Sequence, residues 1–161
     1  MKFRNIATAF LMNGDDVLLM DRSETNKLMP GFWYGVGGHI EPEEMNTPLE
    51  AVLREIYEET GLREDKLEDL CLKYILLRRE KNETVINYIY FGKTNIRCVV
   101  QNDEGTLHWI PKEKVLHRKY IDVLKLTLEH YFEHDKNGDV VVGVMESETN
   151  IKWSILKTWS K

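Results

Sequence analysis

The segment from Gly37 to Leu62 constrains this chain more than any other part of the sequence. It ends in REIYEETGL, which places three carboxylates within about one and a half turns of a predicted helix, at Glu55, Glu58 and Glu59. Like charges three or four residues apart destabilise a helix by roughly 0.2–0.5 kcal/mol per pair. Because the helix dipole also disfavours negative charge near this C-terminal end, folding alone does not explain the pattern. Binding of a divalent cation does.

The same segment predicts both ends of the helix. Thr47-Pro48-Leu49-Glu50 indicates a capping box, with Thr47 as the N-cap and proline at the first helical position. Gly61 then provides the C-terminal stop. Arg54 and the acidic residues fall on or beside one face, which we expect to contact a ligand. The opposite face carries an apolar stripe that should dock on the core, formed by Leu49, Val52, Leu53, Ile56 and Thr60.

These residues resemble the Nudix box, G-x5-E-x7-R-E-U-x-E-E-x-G-U, in which U is a bulky aliphatic residue. Gly38 and Glu44 match the first half, and residues 54–62 match every fixed position of the second half. Nine residues separate Glu44 from Arg54 where the pattern has seven, and the two extra residues lie near Met45-Asn46. We interpret them as a longer loop before an intact helix, which leaves the role of Glu44 open.

Length and composition favour a single domain over residues 1–161, with the box at about 37–62. The net charge of −5 argues against polymeric nucleic acid as a partner, since phosphate backbones are bound by basic surfaces. A small anionic substrate, above all a nucleotide, is compatible with this charge if cations bridge it to the acidic helix. We expect the protein to be a monomer or a homodimer.

The remaining composition predicts a cytoplasmic protein. Cys71 and Cys98 are isolated, without C-x-x-C spacing, and are expected to be buried thiols in a reducing compartment. The N-terminal residues 1–5 lead straight into a strand-like run rather than a secretory signal. No apolar stretch approaches the roughly 20 residues that span a bilayer, so no membrane association is expected.

Strand and helix signals alternate along the chain and predict an α/β (α+β) fold in which a mixed sheet is sandwiched between helices. Strands are expected at 6–12, 17–20, 33–40, 67–77, 84–94, 97–100, 107–110, 140–145 and 151–157. Helices are expected at 47–60 and 120–133, with a helical turn at 112–116, a hairpin turn at 13–16, a loop at 21–31 and a charged turn at 78–82. The last two strands should form a C-terminal hairpin. The resemblance implies the same α/β/α sandwich.

A carboxylate cluster without histidine or cysteine selects a hard cation bound through oxygen, with Mg²⁺ the first choice and Mn²⁺ the second. Because Mg²⁺ readily shares its coordination shell with substrate phosphates, a polyphosphate substrate is expected. Such ions can polarise a bridging oxygen between two phosphates and activate water. The implied reaction is hydrolysis of a diphosphate linkage by in-line attack of water on phosphorus.

The resemblance implies roles for individual residues. It assigns the metal-ligand positions to the box glutamates Glu55, Glu58 and Glu59. One of these, or a glutamate outside the helix, should orient or deprotonate the water. Arg54 corresponds to the box arginine that holds a catalytic glutamate in place by a salt bridge. Gly37 would offer its carbonyl to the metal, and Gly38 would let the chain pass close to the ion.

Three further residues are candidates outside the box. Glu104 lies where related enzymes place an additional acid, with Glu83 and Glu113 as rivals. Arg22, at the end of the second strand, lies where related enzymes place a phosphate-binding arginine. Trp33 and its aromatic neighbours could stack on a nucleobase, although core packing explains them equally well. The plain alternatives are a solvated acidic helix face, a surface arginine and an ordinary loop acid.

The predicted function is that of a MutT-like Nudix hydrolase. Its substrate would be a (d)NTP or an oxidised (d)NTP such as 8-oxo-dGTP, converted to the monophosphate and pyrophosphate. One alternative keeps the chemistry and changes the substrate to ADP-ribose, a nucleotide sugar or a dinucleoside polyphosphate. The other is a non-catalytic nucleotide-sensing module, which would be expected to lose one or more of the box glutamates that this chain keeps.

Overall fold

A computed structural model of the chain describes residues 2–22, 31–134 and 138–157. The strands in these residues are β1 Lys2–Asn13, β2 Asp16–Asp21, β3 Trp33–Tyr34, β4 Val36–His39, β5 Glu68–Glu80, β6 Glu83–Lys93, β7 Thr106–Pro111, β8 Val140–Ser147 and β9 Asn150–Leu156. The α-helices are α1 Pro48–Thr60, α2 Lys112–Val115 and α3 Asp122–His134. Two 3-10 helices precede and follow α1, at Pro42–Glu44 and Glu64–Lys66.

All nine strands belong to one mixed sheet. Its main path runs β3-β2-β1-β6-β5-β8-β9, while β4 pairs with β1 and β7 pairs with β2. The pairs β1–β6 and β5–β8 are parallel, and the other pairs are antiparallel. The parallel pairing of β1 with β6 places the N-terminal strand inside the sheet, with β2 and β4 on one side and β6 on the other.

Helices cover both faces of this sheet. Side chains alternate along a strand, so β1 contributes to two cores at once. Ala7 and Ala9 pack in the core beneath α1, together with Ile56. Phe10 lies in the core on the other face, with Leu124 of α3. The predicted α/β/α sandwich with a mixed sheet is therefore confirmed.

Most predicted elements are present. The hairpin turn at 13–16 joins β1 to β2, α1 matches the predicted helix, and β8 and β9 form the C-terminal hairpin. The predicted loop at 21–31 falls largely on residues 23–30, which lie outside the described residues. Within the described ranges no helix combines the length and the apolar character that a membrane crossing would require.

Two predicted boundaries are wrong. The charged turn at 78–82 shrinks to Lys81-Asn82, because β5 and β6 keep pairing as far as Glu80 and Glu83. Residues 97–100 are not a strand. Two of their backbone groups bond outside the sheet ladder instead, since the amide of Val100 donates to the carbonyl of Thr60 at the end of α1 and the Trp109 indole donates to the carbonyl of Arg97.

Three side-chain predictions are also wrong. Thr47 is the N-cap of α1, but its side chain makes no capping hydrogen bond. The capping box instead lies at the N-terminus of the preceding 3-10 helix, between Glu41 and Glu44. Leu49 is 44% exposed, whereas Val52, one turn further along the predicted stripe, is buried. The two cysteines, Cys71 and Cys98, are exposed rather than buried, since one lies near an irregularity of β5 and the other in the 97–100 segment.

Candidate functional site

Helix α1 buries two of its three box glutamates. Glu55 is 8% exposed and Glu59 only 3%, whereas Glu58 faces solvent. The acidic face is therefore turned partly inward, next to the apolar residues that anchor the helix, rather than opposite them. Burying a carboxylate away from water is unfavourable unless it is paired or binds a cation. The helix ends as predicted at Gly61, whose φ of 75° is left-handed and whose amide donates to the carbonyl of Tyr57.

The two glycines of β4 bring the backbone against these carboxylates. The amide of Gly37 donates to Glu59 Oε2 at 2.8 Å. A Cβ atom at Gly38 would lie 2.5 Å from Glu55 Oε1, and one at Gly37 would overlap the carbonyl oxygen of Ala7. Side chains at these positions would displace the glutamate or the neighbouring strand. The glycines are thus required by close approach to Glu55 and to β1, and the passage of Gly38 close to an ion stays a prediction.

Arg54 holds three glutamates at once. Its guanidinium makes a bidentate pair with Glu44, at 2.7 and 2.9 Å, and also donates to Glu55 at 2.8 Å and Glu58 at 3.3 Å. A further bond goes to the carbonyl of His39. The hydrogen bond from Arg54 lowers the pKa of Glu44, and the same pair raises the pKa of Arg54. The two-residue insertion thus leaves Glu44 in contact with Arg54.

Arg22 joins the helix to the acid outside the box. Its Nη2 lies 3.2 Å from Glu59 Oε1 and 3.0 Å from Glu104 Oε2, and its guanidinium sits 5.2 Å from the centre of the Tyr34 ring. The structure therefore brings together Arg22 and Glu104, which are more than eighty positions apart in the sequence. Asn102 fixes this arrangement, since it donates to the carbonyl of Glu59 and accepts from the amide of Glu104.

The rivals of Glu104 lie elsewhere. Glu83 pairs with Lys2 at 2.9 Å, and Glu113 is an exposed residue of α2.

Trp33 packs beside the core and contacts His108 and Arg118 rather than lining the cleft described below. The structure therefore favours the core-packing alternative for Trp33.

Electrostatics at the buried carboxylates favour a cation. Burial raises the pKa of Glu55 despite its bond to Arg54. Burial raises the pKa of Glu59 to about 8, although the Gly37 amide and the charge of Arg22 both oppose the shift. The neighbouring charge of Glu104 adds to the effect. A positive ion placed here would offset both the desolvation of the two carboxylates and their repulsion by neighbouring glutamates.

The donor set fits a hard divalent cation, because it consists of carboxylate and carbonyl oxygens. Within the described residues, however, no three acidic, histidine or cysteine side chains already converge in a geometry that could hold an ion. Arg54 and Arg22 lie between the carboxylates and pair with them. Ion binding by the three box glutamates would therefore require the exposed side chain of Glu58 to turn toward the buried pair.

A cleft of about 500 Å³ opens beside the acidic cluster. This volume suits a small ligand. The box residues and Arg22 form one end, and the other end is formed by strands β1, β5 and β6 with the start of α3. Tyr34, one of the aromatic neighbours of Trp33 that the sequence offers for base stacking, lines the cleft, whereas sequence patterns do not single out Thr8 and Asn87 as cleft residues. The available signal was that Thr8 and Asn87 are polar positions inside otherwise apolar strands.

Comparisons with known proteins agree with this architecture. A protein-family model described as "NUDIX domain" matches residues 2–150. The crystal structure of a MutT protein from Bacillus halodurans superposes with a TM-score of 0.70 at 21% identity, covering 94% of this chain and 97% of that one. A MutT protein from Methanosarcina mazei Go1 gives a TM-score of 0.68 at 23% identity, covering 84% and 97%. At these identities the likeness concerns the fold.

A sequence relative is the m7GpppN-mRNA hydrolase NUDT17 from Bos taurus. The two sequences are 38% identical over 61 residues, which is 37% of this chain and 20% of NUDT17. The chain thus matches about one fifth of that relative's length. The activity named for NUDT17 belongs to a much longer protein.

Proposed function

Because this chain belongs to the NUDIX domain family, whose model covers residues 2–150, we propose that it is a pyrophosphohydrolase that depends on a divalent metal. The observation that carries the proposal is the burial of Glu55 and Glu59 beside Arg54, at the end of a cleft large enough for a nucleotide. Desolvated carboxylates with raised pKa values become favourable once a cation neutralises them. This burial is difficult to explain by folding alone.

Mg²⁺ is the proposed cation, with Mn²⁺ as a substitute, since Nudix hydrolases generally use a divalent metal and the donors here are oxygens. The proposed ligands are the three box glutamates and the carbonyl of Gly37. When bound, the cation neutralises phosphate charge and lowers the pKa of a nearby water.

The chain's own residues would then position the reaction. Arg54 keeps Glu55 in place, because its guanidinium binds that carboxylate and is itself held by Glu44, whereas Glu58 would turn from Arg54 toward the cation. Arg22 pairs with Glu59 and Glu104 at the rim of the acidic cluster, where its guanidinium is the proposed binding group for a substrate phosphate. Glu104 is the proposed acceptor of the water's proton, with the box glutamates as alternatives.

The bond changes are those of hydrolysis. The water oxygen attacks a phosphorus atom, the bridging bond from that phosphorus to the next phosphate breaks, and the water's proton passes to a carboxylate. For a nucleoside triphosphate the products would be the monophosphate and pyrophosphate. A (d)NTP or an oxidised (d)NTP is the proposed substrate, supported by the cleft's volume and by the small size of the domain.

A product analysis tests this function. The protein would be incubated with a panel of (d)NTPs, including 8-oxo-dGTP, in the presence of Mg²⁺. We expect monophosphate and pyrophosphate in equal amounts, and no turnover after chelation of the metal. Release of orthophosphate alone, or no turnover of any nucleotide, would contradict the proposal.

The alternative substrates belong in the same screen. Faster hydrolysis of ADP-ribose, a nucleotide sugar, a dinucleoside polyphosphate or a capped RNA than of any (d)NTP would keep the chemistry and change the substrate class. Tight nucleotide binding without hydrolysis would favour the sensing module.

A cytoplasmic location and a monomeric or homodimeric state are also part of the proposal. Cell fractionation tests the location, and size-exclusion chromatography tests the oligomeric state.

A further inference from the structure

Two polar side chains form part of the sheet floor at the end of the cleft that β1, β5 and β6 line, and one of them, Thr8, lies opposite Gly37 of β4. Strands β1 and β6 run parallel there, so that Ile6 lies opposite Asn87 and Thr8 lies opposite Ile89. Asn87 is 4% exposed and Thr8 is 7% exposed, yet both line the cleft. Buried polar groups at such positions normally have hydrogen-bond partners, so any unused donor or acceptor calls for an explanation.

Thr8 uses one end of the Asn87 amide and leaves the other free. The hydroxyl of Thr8 donates to Asn87 Oδ1 at 3.2 Å. Among the described residues the Nδ2 group of Asn87 makes no hydrogen bond. The fully buried side-chain nitrogen and oxygen atoms that lack a partner there are Arg4 Nε and Arg118 Nε, so Asn87 Nδ2 is not one of them. The amino group therefore keeps contact with the cleft and offers its hydrogens to whatever occupies it.

The surrounding groups also offer donors rather than acceptors. Arg4 and Arg78 line the same part of the cleft and share the carboxylate of Glu80, at 2.6 and 3.2 Å. The acidic acceptor at this end is thus already paired twice. Apolar contacts come from Ile121 and Leu124 at the start of α3. A flat group bearing carbonyl oxygens fits this combination of an apolar wall and a donor-rich floor.

We propose that Asn87, oriented by Thr8, determines base specificity, favouring bases that present a carbonyl oxygen over bases that present an amino group at the same position. This inference rests on the proposed function, since it places the base of a nucleotide in this end of the cleft. A carbonyl accepts a hydrogen bond from Nδ2, whereas an amino group would bring two donors together and leave both unsatisfied. Guanine, hypoxanthine and uracil would be favoured over adenine and cytosine.

The test compares nucleotides that differ mainly in this group. The ratio of kcat/KM for ITP over ATP, and for UTP over CTP, would be measured with Mg²⁺ for the wild-type protein. One well-placed hydrogen bond predicts a preference of about tenfold or more for the carbonyl-bearing member of at least one pair. The same ratio should fall to within about threefold in Asn87→Ala.

Two further variants separate base selection from packing. Asn87→Asp keeps the shape of the side chain but replaces the donor with an acceptor, so the preference should shift toward the amino-bearing base. Thr8→Val releases the amide to turn either way and should also weaken the preference. Asn150→Ala, in the C-terminal hairpin, serves as the control and should keep the wild-type ratio.

Several results would overturn the inference. A wild-type ratio near one in both pairs would do so, as would an Asn87→Asp protein that lowers turnover of all four nucleotides by the same factor. If the wild-type protein hydrolyses none of them, the proposed function fails, and equilibrium binding of ITP and ATP then decides the inference separately. Equal affinities for the two would reject it, and tighter binding of ITP that depends on Asn87 would uphold it.

Discussion

At the scale of single residues, the most informative contact is the one between Gly37 and Glu59. The amide of Gly37 donates to the Glu59 carboxylate, and Arg22 lies 3.2 Å away, yet burial still raises the pKa of that carboxyl to about 8. The protein's own groups therefore compensate only part of the desolvation. The missing compensation is what a divalent cation would supply.

The box glutamates should be required for turnover but not for folding. Glu58→Gln or Glu59→Gln is expected to lower kcat by about 10²–10⁴-fold, because the amide retains the shape but cannot hold a cation or take a proton. Circular dichroism should remain that of the wild-type protein. Glu50→Gln is the matched control, since Glu50 is an exposed glutamate in the first turn of the same helix. Intact turnover in both Glu58→Gln and Glu59→Gln would reject the assignment of these residues.

A single carbon atom added at Gly38 of β4 should displace the Glu55 carboxylate of α1. In Gly38→Ala the new Cβ would lie 2.5 Å from Glu55 Oε1, so the carboxylate must move. We expect kcat/KM to fall by at least about tenfold, because misplacing a catalytic group by about 1 Å can cost a hundredfold. Gly138→Ala is the control, since no atom lies within 4 Å of that added Cβ. Equal activity of the two variants would show that Glu55 tolerates displacement.

Residue identities in the box could be predicted because the motif is local. Glu55, Glu58, Glu59 and Arg54 lie within five positions on one helix, so helical spacing alone brings them together. Asn102 had no such signal. It contacts Glu59 through the backbone carbonyl, and no sequence pattern reports a contact between a loop side chain and the end of a distant helix.

At the scale of elements, the ion pair between Glu44 and Arg54 connects the 3-10 helix to α1. The chain between them contains the two extra residues near Met45-Asn46, which form the turn after the 3-10 helix. Because the pair is bidentate, it fixes the position of the short helix relative to α1 despite the longer connection. The insertion is thus absorbed outside the helix, as the sequence indicates.

The contribution of this pair to stability should depend on pH. Arg54 lowers the pKa of Glu44 in the folded state, so the stabilisation is present above the ordinary value of 4.5 and is lost as the pH falls through the lower folded value. Glu44→Gln should reduce the free energy of unfolding at pH 7 by about 1 kcal/mol, a figure that allows for solvent screening. Denaturation by urea at pH 7 and at pH 3 measures the difference between the two proteins, which should be smaller at pH 3.

Glu43→Gln is the matched control for this prediction. Glu43 is the exposed neighbour of Glu44 in the same 3-10 helix. Its removal should change the unfolding free energy little at either pH. A loss in Glu44→Gln that is the same at pH 7 and pH 3 would mean that the charge of Glu44 is not what stabilises this connection.

Element boundaries were predictable where a local rule sets them. Gly61 ends α1 because a left-handed residue closes the last turn, and this requirement is visible in the sequence. The N-terminal cap was not, because Thr47 has the right residue type but Glu44 and Glu41 form the box one turn earlier. The length of β5 was also not predictable, since Arg78 and Glu80 look like turn residues until β6 pairs with them.

At the scale of the whole molecule, strand order is what the sequence alone leaves undetermined. Residues 2–12 of β1 pair in parallel with residues 83–93 of β6, across more than seventy intervening positions. Hydrophobic periodicity identifies both as strands but carries no information about which strand lies beside which. The sandwich could be expected because the box resembles a family with that fold. The cleft follows from the strand order, since Thr8 meets Asn87 only through this pairing.

Metal binding should stabilise the entire fold, because an ion that binds only the native state shifts the unfolding equilibrium. At a concentration of Mg²⁺ one hundred times its dissociation constant, the gain is about 2.7 kcal/mol, which corresponds to a rise in Tm of roughly 5–10 °C for a domain of this size. Differential scanning fluorimetry with MgCl₂, against NaCl at equal ionic strength, measures the rise. The Glu55→Gln/Glu59→Gln double variant should show almost no rise, whereas Glu50→Gln should match the wild-type protein. A rise of equal size in the double variant would place the cation elsewhere on the molecule, and the burial of these two carboxylates would then need a different explanation.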